Sequence, residues 1–259
     1  MEPGQPESKA SQKGLIASII FATVVVSGSL VFLAVQMQGS KSEAQIRAQV
    51  VDEIHQQQQS EEEKKYIFPI TATLADAVDD DAMMGSRDAK VTLVEFSDYQ
   101  CPYCLRHFTE TFPGLKSDYI DTGKINYVFR DSPLPFHPQA IPAAIAAECA
   151  RQQGGDGVYF QMGQKIFNAQ DKMYDQSAAV YQQTLRGFAV ELGLDSGKFL
   201  TCVNDPKTKS EIDADIKAGA GFGVEGTPSF VLTDGTTSML IRGAQPLKVF
   251  KKQIDALLK

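Results

Sequence analysis

The chain has 259 residues, 43% of them apolar and 22% charged, enough to bury one sizeable core with an inserted subdomain. A formal charge of −7, with no Lys/Arg-rich run, argues against nucleic acid as a partner, since phosphates call for a basic surface. The four cysteines are compatible with two disulfides in an oxidising compartment, although spacing alone cannot fix their pairing.

Residues 15–35 contain no charged side chain. As a helix they would span roughly 30 Å, the thickness of a bilayer's hydrocarbon core. Lys9 and Lys13 precede them and only Lys41 follows closely, so the positive-inside tendency leaves residues 1–14 cytoplasmic and the rest outside. A cleaved signal peptide is the alternative. Its apolar region is usually about 7–15 residues and ends in small residues, whereas this longer run closes on Val35-Gln36-Met37-Gln38. An uncleaved transmembrane anchor at 15–35 is the expectation.

Residues 36–85 read as a polar helical stalk and lead-in, with a Gln tract from Gln56 to Gln59 and then Glu61-Glu62-Glu63-Lys64-Lys65. Ile46, Val50 and Ile54 recur every fourth residue, a thin stripe that either pairs with copies of itself or lines a solvated stalk. Residues 66–85 find no placement beyond that of a lead-in.

From residue 86 to 259 the pattern is that of a folded α/β domain. Val91-Thr92-Leu93-Val94-Glu95-Phe96 suits a buried parallel strand. A helix should follow from Pro102 to about Asp121, with Phe108, Phe112 and Leu115 at helical spacing and Pro113 bending or breaking it. Ile125-Asn126-Tyr127-Val128-Phe129 is the next strand, completing a βαβ unit. Residues 138–222 read as a helical insertion. Ile141 to Gln153 is Ala-rich and ends at Gly154-Gly155, Leu185, Phe188, Ala189 and Leu192 form a stripe, and Pro206 suits the first turn of a helix carrying Ile212 and Ile216. Strands return at Ser229 to Leu232 and Ser238 to Ile241 around Thr233-Asp234-Gly235, and a last helix runs from about Pro246 to Leu258.

The chemistry centres on Cys101-Pro102-Tyr103-Cys104, placed after a buried strand and opening a helix. A helix N-terminus stabilises a thiolate through its partial positive charge and free N–H groups, and the thiolate is the nucleophile of disulfide exchange. Cys104, one turn in, is placed to attack and resolve a mixed disulfide. A structural bridge or half a zinc site is the competing reading. Zinc needs two more ligands, and His55, His107 and His137 offer no such spacing, so neither metal nor other cofactor is expected. Glu95 is the only charge in its strand. Buried, it would have a raised pKa and could relay the proton of Cys104; otherwise it points into a loop or pairs with a lysine. His107, one turn beyond Cys104, either adds positive charge or lies on a solvated helix face, the second being the expectation.

Val94-Glu95-Phe96-Ser97-Asp98-Tyr99-Gln100-Cys101-Pro102-Tyr103-Cys104, followed far downstream by Gly226-Thr227-Pro228-Ser229-Phe230, resembles the DsbA-type branch of the thioredoxin superfamily. The resemblance covers roughly residues 86–259 and includes an insertion where that branch has one. It implies a thioredoxin-like fold, Cys101 as a solvent-exposed nucleophile and Cys104 as the buried resolving thiol. It further implies that Pro228 is cis, that Thr227 and Pro228 sit opposite the dithiol and present backbone to an extended substrate strand, and that Glu95 is the buried acid. Pro102 and Tyr103 occupy the positions that tune the redox potential. DsbA carries a His where this chain has Tyr103, and a Tyr cannot carry that charge, which argues against a very strong oxidant.

Cys149 and Cys202 fall in two helices of the insertion. On the extracytoplasmic side a structural disulfide between them, worth about 4 kcal/mol in the loop-entropy model, is favoured over two buried thiols or a second redox pair. The expected function is thiol–disulfide exchange with cysteine-containing proteins outside the cytoplasm, disulfide formation being favoured over isomerisation or reduction. A membrane-tethered soft-metal carrier and a redox-silent scaffold are the readings from other classes. Such an oxidase needs a membrane or periplasmic redox partner to reset the dithiol.

Overall fold

The computed structural model describes residues 43–71 and 77–259, so the expected tail and anchor, residues 1–35, lie outside the described residues. Among the described residues no helix is long and apolar enough to cross a membrane. The chain divides into two compact units, one up to Glu62 and the other Glu63–Lys259. The first contains nearly all of α1 (Glu43–Glu63), on which Ile46 and Val50 are half-buried while Val51 and Ile54 are about half exposed.

The second unit is built on a six-stranded sheet in the order β1–β6–β5–β3–β4–β2. Strands β3 (Val91–Ser97) and β4 (Ile125–Asp131) run parallel, as the βαβ spacing predicts, and every other neighbouring pair is antiparallel. Strands β3, β4 and β5 (Ser229–Thr233) are buried along their whole length, which is why they read as apolar runs without alternation. Between β5 and β6 (Ser238–Arg242), Gly235 takes φ 85° and the Asp234 carboxylate accepts from the N–H groups of Thr236 and Thr237, the turn chemistry announced by Asp-Gly.

Residues 66–85 are not a lead-in outside the domain. They supply both edges of the sheet, β1 (Ile67–Ile70) pairing with β6 and β2 (Ala82–Gly85) with β4. Each strand has four residues, too few to establish a period of two, and Pro69 sits where a strand proline is tolerated, on an edge.

The helix after the dithiol is not broken at Pro113 either. It continues through α2 (Pro102–Arg106), a π-helical turn (His107–Thr111), α3 (Phe112–Leu115) and a second π turn (Lys116–Ile120). The Phe112 N–H bonds to the His107 carbonyl, and this wider turn absorbs the missing N–H and the ring of Pro113.

Five helices form the insertion: α4 (Ala140–Gly154), α5 (Asp156–Met173), α6 (Ala178–Glu191), α7 (Ser196–Val203) and α8 (Pro206–Gly221). Ser177, Asp195 and Asp205 cap the last three by accepting backbone N–H bonds, and Pro206 occupies a first turn as expected. The corner between α4 and α5 is made by Gly155 at φ 76°. Cys149 of α4 and Cys202 of α7 are joined by a disulfide across 53 residues. Helix α9 (Leu247–Leu257) buries Val249, Phe250 and Ile254.

Alternation along the sheet decides where the site lies. Leu93, Tyr127, Phe129, Phe230 and Leu232 pack in the cluster that holds the helices of the dithiol and the insertion, while Val94, Phe96, Val128, Val231 and Leu240 belong to the cluster on the other face. Glu95, two residues from Leu93, therefore points toward α2. At the far end of β4 a second polar group is buried. Arg130 holds Asp215 at 2.8 Å and Asp81 at 2.9 Å, and Asp131 accepts from the Tyr159 hydroxyl at 2.9 Å. Desolvation raises all of these carboxyls first: Asp81 to about 9 and Asp131 upward, with repulsion from neighbouring acids adding, Asp215 upward against the lowering pull of Arg130, and nearby Glu148 to about 7.

Candidate active site

Cys101 caps the N-terminus of α2 in an extended conformation, and Pro102 takes the first turn, where its missing N–H is not needed. The turn leading into it is clamped on three sides. Asp98 accepts from the Gln100 N–H at 2.7 Å and the Leu134 N–H at 2.8 Å, and stands 2.7 Å from His137 Nδ1. Gln170 of α5 donates to the carbonyls of Tyr99 at 2.8 Å and Cys101 at 3.2 Å. The Gln139 N–H donates to the Gln100 side chain at 2.8 Å. The insertion thus braces the catalytic turn directly.

Across from α2, the Thr227–Pro228 peptide is cis and the Cys101 thiol donates to the Thr227 carbonyl at 3.4 Å. Here the geometry departs from expectation: Cys101 is only 3% exposed, not a solvent-exposed nucleophile. Cys104 is fully buried, and its sulfur accepts the Asp98 N–H at 3.4 Å. Tyr103 is 57% exposed with the Arg106 guanidinium 5.1 Å from its ring centre, so a cation is supplied beside the position that the sequence shows to lack one.

The two thiols are unlike. Hydrogen bonding from Cys104 first, then from Thr227 and the backbone N–H groups of Cys104 and Tyr103, outweighs desolvation and lowers Cys101 to about 6. Burial, with Cys101 and Glu95 alongside, pushes Cys104 well above the ordinary thiol range. Near neutral pH the reduced pair therefore carries one thiolate, on Cys101.

Glu95 is buried beneath Cys104's helix and accepts a hydrogen bond from the Tyr127 hydroxyl. Desolvation raises its pKa to about 7, against the lowering effect of Tyr127 and Ser97. His107 is not on a solvated face. It is 1% exposed, packed on Phe230 and Phe250, and burial lowers its pKa to about 3, so it adds no positive charge. Its N–H still bonds to the Tyr103 and Cys104 carbonyls, so, three residues beyond the buried Cys104, His107 faces inward on the same side of the helix. Glu95, His107 and Tyr127 line a cavity of about 270 Å³ walled by Met83, Phe112 and Phe167 among others.

Residue-by-residue reading of the sequence missed Asp98, Gln170, Tyr127 and the role of His137. Only Tyr127 left a signal: in a parallel β3–β4 register it pairs with Leu93 and so shares a face with Glu95.

A thioredoxin family model matches residues 77–256. A Rickettsia felis protein named as a protein-disulfide oxidoreductase is 29% identical over 194 residues, 75% of this chain and 64% of that protein. A Na(+)/H(+) antiporter NhaA of Herminiimonas arsenicoxydans is 31% identical over 150 residues, of which this chain spans 22% of the length. The crystal structure of Wolbachia pipientis alpha-DsbA1 superposes with a TM-score of 0.60 at 26% identity, covering 70% of this chain and 92% of that one. Pseudomonas aeruginosa DsbA2 gives 0.53 at 27% identity, with 73% and 96% covered. With the match spanning five strands of the sheet, the insertion and the dithiol turn, the chain belongs to the thioredoxin family, and its fold is similar to that of DsbA-type proteins.

Proposed function

We propose that the protein is tethered by residues 15–35 in a cell membrane, with residues 1–14 cytoplasmic and the domain in the periplasm or cell exterior, and that it forms disulfides in cysteine-containing proteins there. The observation that carries the direction is the contrast between a Cys101 lowered to about 6 and a Cys104 raised well above its ordinary value. Stabilising the Cys101 thiolate favours the reduced pair, and that makes the Cys101–Cys104 disulfide a ready donor. A substrate thiolate attacks Cys101 and Cys104 leaves, taking a proton through Glu95. The substrate's second thiolate then attacks the mixed disulfide and releases the reduced protein, which a membrane or periplasmic partner reoxidises. Thr227 and Pro228 hold the substrate backbone, Pro102 and Tyr103 tune the potential, and Cys149–Cys202 keeps the insertion in place.

The test is the equilibrium reduction potential of the dithiol in graded glutathione buffers, with Cys101→Ser as control. A value near about −120 mV identifies a disulfide donor, and one at or below about −200 mV points to reduction or isomerisation. The exposed apolar residues Val51 and Ile54 on α1 favour isomerase as the second reading, because they suit self-association. Deleting residues 36–65 without changing the mass per particle would remove that support.

A further inference from the structure

His107 is the residue that the chemistry described so far does not use. It stands among the phenyl rings of Phe230 and Phe250, at 4.5 and 5.5 Å between ring centres, where a phenylalanine would fit by packing alone. Neither ring nitrogen has a hydrogen-bond partner, a costly condition for a buried polar group. Nε2 nevertheless lies 3.4 Å from Glu95 Oε2, near enough to bond but not aligned to do so. The cavity beside both side chains gives the ring room to turn.

Resting on the thiol–disulfide exchange reading, we propose that His107 is a positioning residue: its neutral ring turns Nε2–H onto Glu95 Oε2 whenever that carboxyl gives up its proton. When Cys104 leaves the disulfide as a thiolate, Glu95 transfers its proton to that sulfur and becomes a carboxylate. The Tyr127 hydroxyl and His107 Nε2–H then both donate to Oε2, which has lone pairs for two donors. The step transfers one proton and no electrons, and apart from the turning of the His107 ring no group changes place. The proton returns to Glu95 when Cys104 ionises for reoxidation.

The surroundings leave this task to a neutral donor. From α2, Cys101 and Cys104 oppose a second negative charge, from β4 Tyr127 donates, and from β3 and the turn after it Ser97 and Tyr99 are uncharged. Helix α5 presents Phe160, Gln161, Gln164 and Phe167, strand β2 presents Met83 and Met84, and β5 and α9 present Phe230 and Phe250. Lys116, the cation on the cavity wall, is engaged by Asp121 at 2.6 Å. Burial keeps His107 itself uncharged through the working range.

The experiment titrates the Glu95 side-chain carbon by NMR in the reduced full-length protein, comparing His107→Phe and His107→Gln with the unaltered chain. The expected result is a Glu95 midpoint raised by about one pH unit in His107→Phe, tenfold in proton affinity, and largely restored in His107→Gln, which still donates. No shift in the folded Phe variant, or an equal shift in both variants, reduces His107 to packing and overturns the proposal. Should His107→Phe not fold, the ring nitrogens of the unaltered protein decide. A protonated Nε2 whose resonance moves with the Glu95 midpoint supports the proposal, and an Nε2 that is bare or static refutes it. Glutathione equilibration of the unaltered dithiol is read separately, so failure of the exchange reading is distinguishable from failure of the His107 role.

Discussion

Besides Asp98 in the dithiol turn, the buried carboxyls of this domain fall into two groups that differ in what surrounds them. Glu95 is alone, bonded by the neutral Tyr127 hydroxyl, with a neutral imidazole beside it. At the far end of β4, Asp81 and Asp215 share the fully buried Arg130, with Asp131 and Glu148 close by. Desolvation is the first cause of the raised pKa in both groups. The neighbours decide the rest: a lone acid among neutral donors stays poised near neutrality and can pass a proton, whereas acids gathered on a fixed cation form a joint between β4, α8 and the segment before β2.

The sharpest way to break the comparison is Arg130→Met, which leaves the carboxyls without their cation. It should lower the unfolding free energy by about 3–5 kcal/mol at neutral pH, measured by urea denaturation. A loss below about 1 kcal/mol would mean that Asp215, like Asp81, holds a proton at neutral pH and needs no cation.

The second effect is on pH. Glu95 and Glu148 at about 7 and Asp81 at about 9 are raised above their unfolded values, so folding favours their protonated forms. Their contribution is fully present below the unfolded carboxyl range. It is then lost as pH rises, first through the two glutamates and last through Asp81. The melting temperature should therefore be higher at about pH 5 than at about pH 9, and Glu95→Gln should remove only the part lost by about pH 7. A melting temperature that rises with pH across this window would contradict the assignment.

Gln170→Ala removes two hydrogen bonds to the catalytic turn and should cost about 1–3 kcal/mol, with Cys101 losing its protection from alkylation. Unchanged alkylation kinetics would show that α5 does not brace the turn. The smallest expected effect is that of Tyr127→Phe. With its lowering bond gone, Glu95 should titrate roughly one unit higher while global stability moves by less than about 1 kcal/mol.

The central strands, the parallel β3–β4 pair and the helical insertion were legible because long apolar runs and capped helices leave local signals. Cys101, Cys104 and the Thr227–Pro228 pair were legible through their motifs. The edge strands were not, since four residues carry no period, and Asp98, Gln170 and the Arg130 cluster were not, because their partners lie far away in sequence. His107 was misread although its spacing was informative: three residues after Cys104, it shares that thiol's buried face of the helix.

Those two edge strands bear on how the protein survives its own clients. A protein proposed to hold extended, unfolded chains against its backbone is exposed to being extended by them, strand upon strand. Its sheet ends at β1 in four residues interrupted by Pro69, and at β2 in four residues ended by Gly85 at φ 91°. Neither margin presents a long, even row of donors and acceptors. On the proposed function, a client would thereby be confined to the Thr227 loop, where its cysteine meets Cys101, and kept from seeding a growing sheet at the rim.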